Sequence, residues 1–138
     1  MRNVDLMVGD LVTFKDCQNE EKPVIIKVME LHRYDDFILA SIDGDKAYDE
    51  LGLDDIVGIP LTSEIMKRSG WKWDGVYATA MIDDSQYLSW YMHEGILRRY
   101  YVHKNGSEEV VFMCCGVNYA HLLQHALKMC GSDLIIAV

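Results

Sequence analysis

His121 and His125 stand one helical turn apart in the segment Tyr119-Ala-His-Leu-Leu-Gln-His-Ala-Leu-Lys-Met-Cys-Gly131, a spacing at which two imidazoles can share a metal ion. In the zinc-hydrolase version, His-Glu-x-x-His, the Glu is the base that activates the metal-bound water. Here Leu122 takes that place, and the cation Lys128 lies close by. With Leu122 assigned to the apolar stripe, His121, Gln124, His125 and Lys128 are expected to form the wet face of the helix. A metal-dependent hydrolase using the two histidines is the alternative this spacing keeps open.

A second concentration of chemistry is acidic: Asp43, Asp45, Asp49 and Glu50, followed by Asp54 and Asp55. A calcium loop of the EF-hand type needs oxygen ligands at alternate positions and Gly at the sixth. Counting from Asp43, the fifth position is Ala47 and the sixth Tyr48, so an exposed acidic turn is the better account. Cys17, Cys114, Cys115 and Cys130 show no disulfide-framework spacing, and the adjacent pair needs two further ligands to bind zinc, so free thiols are expected. Gly-rich phosphate loops and the Gly-x-Ser-x-Gly elbow are absent from the sequence. No cofactor and no enzymatic activity are expected.

The aromatic residues cluster between 71 and 101: Trp71, Trp73, Tyr77, Tyr87, Trp90, Tyr91, Tyr100 and Tyr101, with Arg98 and Arg99 among them. Alternation along strands directs about half of such side chains away from the core, where Tyr and Trp serve as anchors for a partner. Trp71, Trp73, Tyr87, Trp90, Tyr91 and Tyr101 are the candidate partner-binding residues, and cross-strand packing pairs are the competing account.

Charge narrows the partner. The formal net charge is -9, and fifteen of the twenty-two acids precede residue 70, beside eight Lys and Arg. Such a half repels a phosphate backbone, so direct nucleic-acid binding is not expected; a protein partner is, and mimicry of nucleic-acid charge by an acidic inhibitor is the alternative. The longest apolar runs, Val110 to Cys115 and Leu134 to Val138, are far short of the roughly 20 residues that cross a bilayer, so no membrane association is expected. Asp5 and Asp10 fall where an export signal would be apolar, which points to the cytoplasm.

These residues must be positioned by elements that can be read along the chain. Leu11 to Phe14, Val24 to Leu31, Phe37 to Ile42, Ala47-Tyr48 and Ile56 to Ile59 are short β-branched or aromatic runs separated by polar turns. Five such strands predict a curved antiparallel sheet or SH3-like half-barrel over residues 1–60. Thr62 is a good N-cap and Gly70 a good stop for a two-turn helix between them. Val76 to Ile82, Gln86 to His93, Ile96 to His103 and Glu108 to Cys115 predict a four-stranded meander, with a type I′ turn at Asn105-Gly106. Asn118 is expected to cap an amphipathic helix from Tyr119 to Cys130, ended by Gly131, and Leu134 to Val138 to add a terminal strand.

Two segments carry a resemblance: Asp55-Ile-Val-Gly-Ile-Pro-Leu-Thr-Ser-Glu-Ile-Met-Lys-Arg-Ser-Gly-Trp71 and the segment from Tyr119 to Gly131. With Leu6-Met-Val-Gly-Asp-Leu-Val12, they resemble a group of small uncharacterised proteins of Bacteroides-type gut bacteria and their phage-like mobile elements. Members pair an Ile-Pro-Leu-Thr-x-Glu-Ile segment with a Tyr-x-His-x-Leu-Gln-His-Ala-Leu segment. The resemblance implies an origin and a layout but no activity. Where many of those relatives show His-Glu-x-x-His, Leu122 replaces the Glu.

The expected protein is a single α+β domain of 138 residues with a curved N-terminal sheet, a short helix, a meander and a C-terminal helix. Its expected role is that of a non-enzymatic accessory protein that binds another protein through its aromatic sheet face or acidic half.

Overall fold

The computed structural model describes residues 6–32 and 34–138. Residues 1–5, part of the stretch that argued against an export signal, lie outside the described residues. The α+β class holds: among the described residues the chain forms two antiparallel five-stranded sheets and two short α-helices, and it divides into two compact units. The first comprises Met1–Pro60 and Tyr119–His121, the second Leu61–Asn118 and Leu122–Val138. No helix among the described residues is long and apolar enough to cross a membrane.

In the first unit, β1 (Leu11–Phe14), β2 (Ile26–His32), β3 (Phe37–Ile42), β4 (Asp49–Gly52) and β5 (Ile56–Gly58) form one sheet in the order β4-β3-β2-β1-β5. A bulge between Val28 and Glu30 bends β2, as its change from continuous apolar residues to alternation suggested. The sheet stays open: no ladder closes it into a barrel among the described residues. One face buries Val12, Ile26, Val28, Ile38, Ala40 and Ile56 together with Leu6 and Leu53. β4 forms two residues later than expected, because Asp43 and Gly44 both take positive φ and Lys46 to Tyr48 stay outside the ladder.

Asp10 is fully buried beside this core, and the Met7 N–H donates to its Oδ2 at 2.8 Å. The Val28 N–H donates to the Asp10 carbonyl and the Gly9 N–H to the Val28 carbonyl, so the turn is fastened to β2 at both ends. Thr13 is buried with its hydroxyl donating to the Val24 carbonyl at 2.7 Å.

The second unit starts with α1 (Ser63–Arg68). Thr62 caps it as expected, its Oγ1 accepting from the Ile65 N–H. Gly70, at φ 90°, stops it. The Trp71 N–H donates to the Met66 carbonyl and the Gly70 N–H to the Lys67 carbonyl, the paired bonds of a Schellman ending.

The sheet that follows runs in sequence order: β6 (Lys72–Trp73), β7 (Tyr77–Met81), β8 (Gln86–Tyr91), β9 (Ile96–Val102) and β10 (Glu108–Cys114). It has one strand more than the expected meander, since Lys72-Trp73 pairs with Thr79 and Ala78. The β9–β10 turn is not of type I′, which needs positive φ at two residues. Gly106 alone supplies it, at 86°, and the three-residue loop closes through the His103 N–H to the Ser107 carbonyl and the Gly106 N–H to the His103 carbonyl.

α2 (Ala120–Met129) starts one residue later than expected, and Asn118 is spent elsewhere. Its side chain lies over Gly95, where a Cβ would collide with it, and its carbonyl accepts from the Leu61 N–H. Gly131 ends α2 with the same paired bonds as Gly70, from the Ser132 N–H to Leu127 and from the Gly131 N–H to Lys128. Leu134 to Val138 does not form the expected strand. The Ala137 N–H donates to the Ser69 hydroxyl rather than to a ladder; Ile136 is buried and Ile135 is 82% exposed.

Candidate partner-binding face of the second sheet

The pleat of β8 separates Gln86, Leu88 and Trp90 from Tyr87, Ser89 and Tyr91. On the first side Leu88 and Trp90 are buried with Ala78, Ala80 and Leu97 of the neighbouring strands. The Trp90 Nε1–H donates to the Val117 carbonyl at 2.8 Å. Arg99 shares this side by register with Leu88; its Nε donates to Gln86 Oε1 at 2.8 Å and its Nη1 to the Cys130 carbonyl at the end of α2. This is the core side of the sheet.

The opposite side carries three rows that cross the strands. Tyr77, Tyr91 and Ile96 are in register, and the Tyr77 and Tyr91 rings stack with centroids 5.1 Å apart. Met81, Tyr87, Tyr100 and Val110 are in register, and Tyr87 and Tyr100 stack at 4.9 Å. Between these two ridges runs Lys72, Thr79, Ser89, Arg98 and Met113. At about 3.3 Å per residue, the ridges are about 13 Å apart along β8.

Much of this outer side faces solvent: Met81 is 63% exposed, Met113 56% and Val110 47%, with Tyr77 also exposed. Burial and a hydrogen bond to Glu108 push the Tyr87 phenol up to about 12. At the far end of β10 burial pushes the Cys114 thiol up, and Cys17, Cys114, Cys115 and Cys130 are all free thiols.

No family model, curated protein or solved structure matches the chain. Function must be read from the site alone.

The structure divides the six aromatic candidates. Trp71 and Trp90 are 4% and 1% exposed and belong to the core, so neither presents a ring to a partner. Trp73 pairs with Ala78 and so falls on the core side, half-buried. Tyr101 shares the register of Gln86 on the side of Leu88 and Trp90, but its ring is exposed and contacts His103 edge-on. Tyr87 and Tyr91 alone of the six lie on the outer side. The residues that join them there, Tyr77, Met81, Arg98, Tyr100, Val110 and Met113, could have been found by assigning the alternation of Tyr87-Leu-Ser-Trp-Tyr91 and carrying it across the strands.

The histidine pair also differs from expectation. His121 is 4% exposed rather than solvent-facing, and Leu122 is only half-buried. The expected stripe is buried at Leu123, Ala126, Leu127 and, just past α2, Cys130, with Ala120 joining it; His121 is buried off that stripe. His121 fits because Gly58 faces it without a side chain: a Cβ there would come within 2.8 Å of His121 Cε1 and of Tyr119. His125 is half-buried, and among the described residues no three His, Cys, Asp or Glu side chains are grouped to hold a metal ion. The acidic turn is exposed throughout Asp43 to Glu50, as expected.

Proposed function

We propose that this chain is a non-enzymatic accessory domain, bacterial or encoded by a mobile element, that binds another protein through the outer side of its second sheet. One observation carries the proposal: two stacked tyrosine pairs and the exposed side chains of Met81, Val110 and Met113 share a sheet side. Tyr, Met and Arg are the residue types enriched in interface centres, and exposed apolar groups gathered in one place mark such sites. The resemblance of the Ile59-to-Met66 and Tyr119-to-Leu127 segments supports the bacterial origin, and the cytoplasm is the compartment that four free thiols suit.

Charge favours this side over the rest of the chain. In sequence, the second unit has seven Lys and Arg against eight Asp and Glu, whereas the first has six against fourteen, so net charges of -1 and -8 follow. The outer side is thus on the nearly neutral unit, where apolar contact is not opposed by self-repulsion.

The concentration of charge in the first unit supports a second reading, an acidic inhibitor that mimics nucleic-acid charge. The two separate by affinity capture from the native host at low and moderate salt. The sheet reading expects a stoichiometric partner that persists at moderate salt and is lost with Tyr77→Ser plus Tyr91→Ser. Loss instead with Asp43→Asn, Asp45→Asn, Asp49→Asn and Glu50→Gln, and steep weakening with salt, would establish the acidic reading.

A further inference from the structure

The row between the two tyrosine ridges is polar where the ridges are apolar. Lys72, Thr79, Ser89 and Arg98 follow one another on four adjacent strands. At about 4.8 Å between strands, the backbone positions of Lys72 and Arg98 are about 14 Å apart, with two hydroxyl-bearing residues between them. Arg98 is half-buried, and among the described residues its guanidinium takes part in no hydrogen bond or ion pair, in contrast with Arg99 on the core side. Ser89 is 8% exposed, and neither its hydroxyl nor that of Thr79 bonds to another described residue. A guanidinium with no carboxylate partner among the described residues, next in register to two hydroxyls without protein partners there, makes a polar row that an anionic side chain complements.

From this arrangement, and resting on the proposed protein-binding role of the outer side, we infer that the partner segment is an extended peptide carrying one acidic side chain with an apolar residue two positions to either side. The carboxylate pairs with Arg98, whose planar fork suits it, and accepts from the Ser89 and Thr79 hydroxyls. An extended chain places residues i-2, i and i+2 on one face at about 6.6 Å intervals. That matches the step from Tyr91 to Ser89 to Tyr87, so the flanking apolar side chains lie against the two ridges. The one guanidinium at Arg98 suits a single carboxylate; a phosphate backbone would add charges that the -9 chain repels.

The probe is a random-peptide display library selected on the full chain, followed by synthesis of the best binder and of its Glu→Gln or Asp→Asn counterpart. Both are titrated against the wild type, Arg98→Gln, Ser89→Ala and Tyr77→Ala plus Tyr91→Ala, each first shown to be folded by its urea transition. The acidic peptide is expected to bind about tenfold or more tightly than its amide counterpart. Arg98→Gln removes that preference, and the tyrosine variant weakens both peptides. Binders that need Tyr77 and Tyr91 but show no preference for the acid would overturn the acidic-segment inference and leave the protein-binding reading standing. A failure to select peptides, or binders indifferent to the tyrosines, would overturn both. A labelled single-stranded oligonucleotide that binds in an Arg98-dependent way would replace the peptide with a nucleic acid and overturn the inference.

Discussion

Trp90 and Tyr91 are consecutive residues of β8 with opposite fates: Trp90 is 1% exposed and donates to the Val117 carbonyl, while Tyr91 stacks on Tyr77 at 5.1 Å on the outer side. Two neighbouring aromatics in one run thus divide into a core residue and a surface residue. Trp90→Phe leaves the buried Val117 carbonyl unpaired and a space behind it, and is expected to cost about 2–4 kcal/mol. Tyr91→Ala removes a cross-strand pair and is expected to cost about 1 kcal/mol or less. Urea unfolding of the two variants checks the division; comparable losses would contradict it.

Gly58 makes room for His121 and Tyr119, and no backbone strain is involved because its φ is not in the left-handed region. Gly58→Ala overpacks the site and is expected to destabilise by about 1–3 kcal/mol. Gly52→Ala is the control, since its Cβ would meet only the Asp55 carboxylate at 3.3 Å. Thermal melts should show the larger drop for Gly58→Ala, and equal drops would remove the steric account of how His121 is buried.

Tyr87 keeps its proton to about pH 12 in the folded chain, whereas an unfolded tyrosine loses it near 10. Between those values the unfolded state binds fewer protons, so stability falls as pH rises. Phenolate absorbance should reveal a late-titrating tyrosine that Tyr87→Phe removes. Glu108→Gln should lower its midpoint, though not to the ordinary value, because burial is the larger cause. A Glu108→Gln titration identical to the wild type would exclude the Glu108 contribution.

Asp74 fastens the β6–β7 turn: its Oδ1 accepts from the Val76 N–H at 2.9 Å and the Tyr77 N–H at 2.6 Å. These bonds, that from Tyr77 first, hold its carboxyl below the usual aspartate value. A group depressed in this way stabilises above its unfolded pKa and ceases to as pH falls through the folded one. Asp74→Ala should therefore differ from wild type in urea midpoint at pH 6, with a smaller difference at pH 3. A gap independent of pH would show that the charge on Asp74 contributes nothing.

Local rules recovered most elements because their signals are local. Thr62 and Gly70 delimit α1 through bonds within a few residues, and the strands Leu11–Phe14 and Phe37–Ile42 follow directly from their apolar runs. The rest depended on distant partners. The burial of His121, off the apolar stripe of α2, requires Gly58, sixty-three positions earlier in the chain. Asn118 does not take the expected capping place: α2 begins at Ala120, and the Asn118 side chain lies over Gly95, which has no Cβ to obstruct it. Leu134 to Val138 has strand composition but bonds to Ser69 instead of a strand. For the candidate site, residue types pointed to the second sheet, but the six aromatics were chosen by type without fixing which face each takes. Only the registers across β7, β8 and β9 bring Tyr77, Arg98 and Tyr100 beside Tyr87 and Tyr91.

The central claim is that the outer side of the second sheet meets a protein partner. The direct measurement is hydroxyl-radical footprinting of the chain alone and in complex with the protein it captures from its host, read at Met81, Met113, Tyr77, Tyr91 and, on the acidic unit, Tyr48. The account predicts severalfold protection of Met81, Met113 and the two outer tyrosines, with Tyr48 unchanged. Protection at Tyr48, with Met81 and Met113 oxidised as in the free chain, would contradict it.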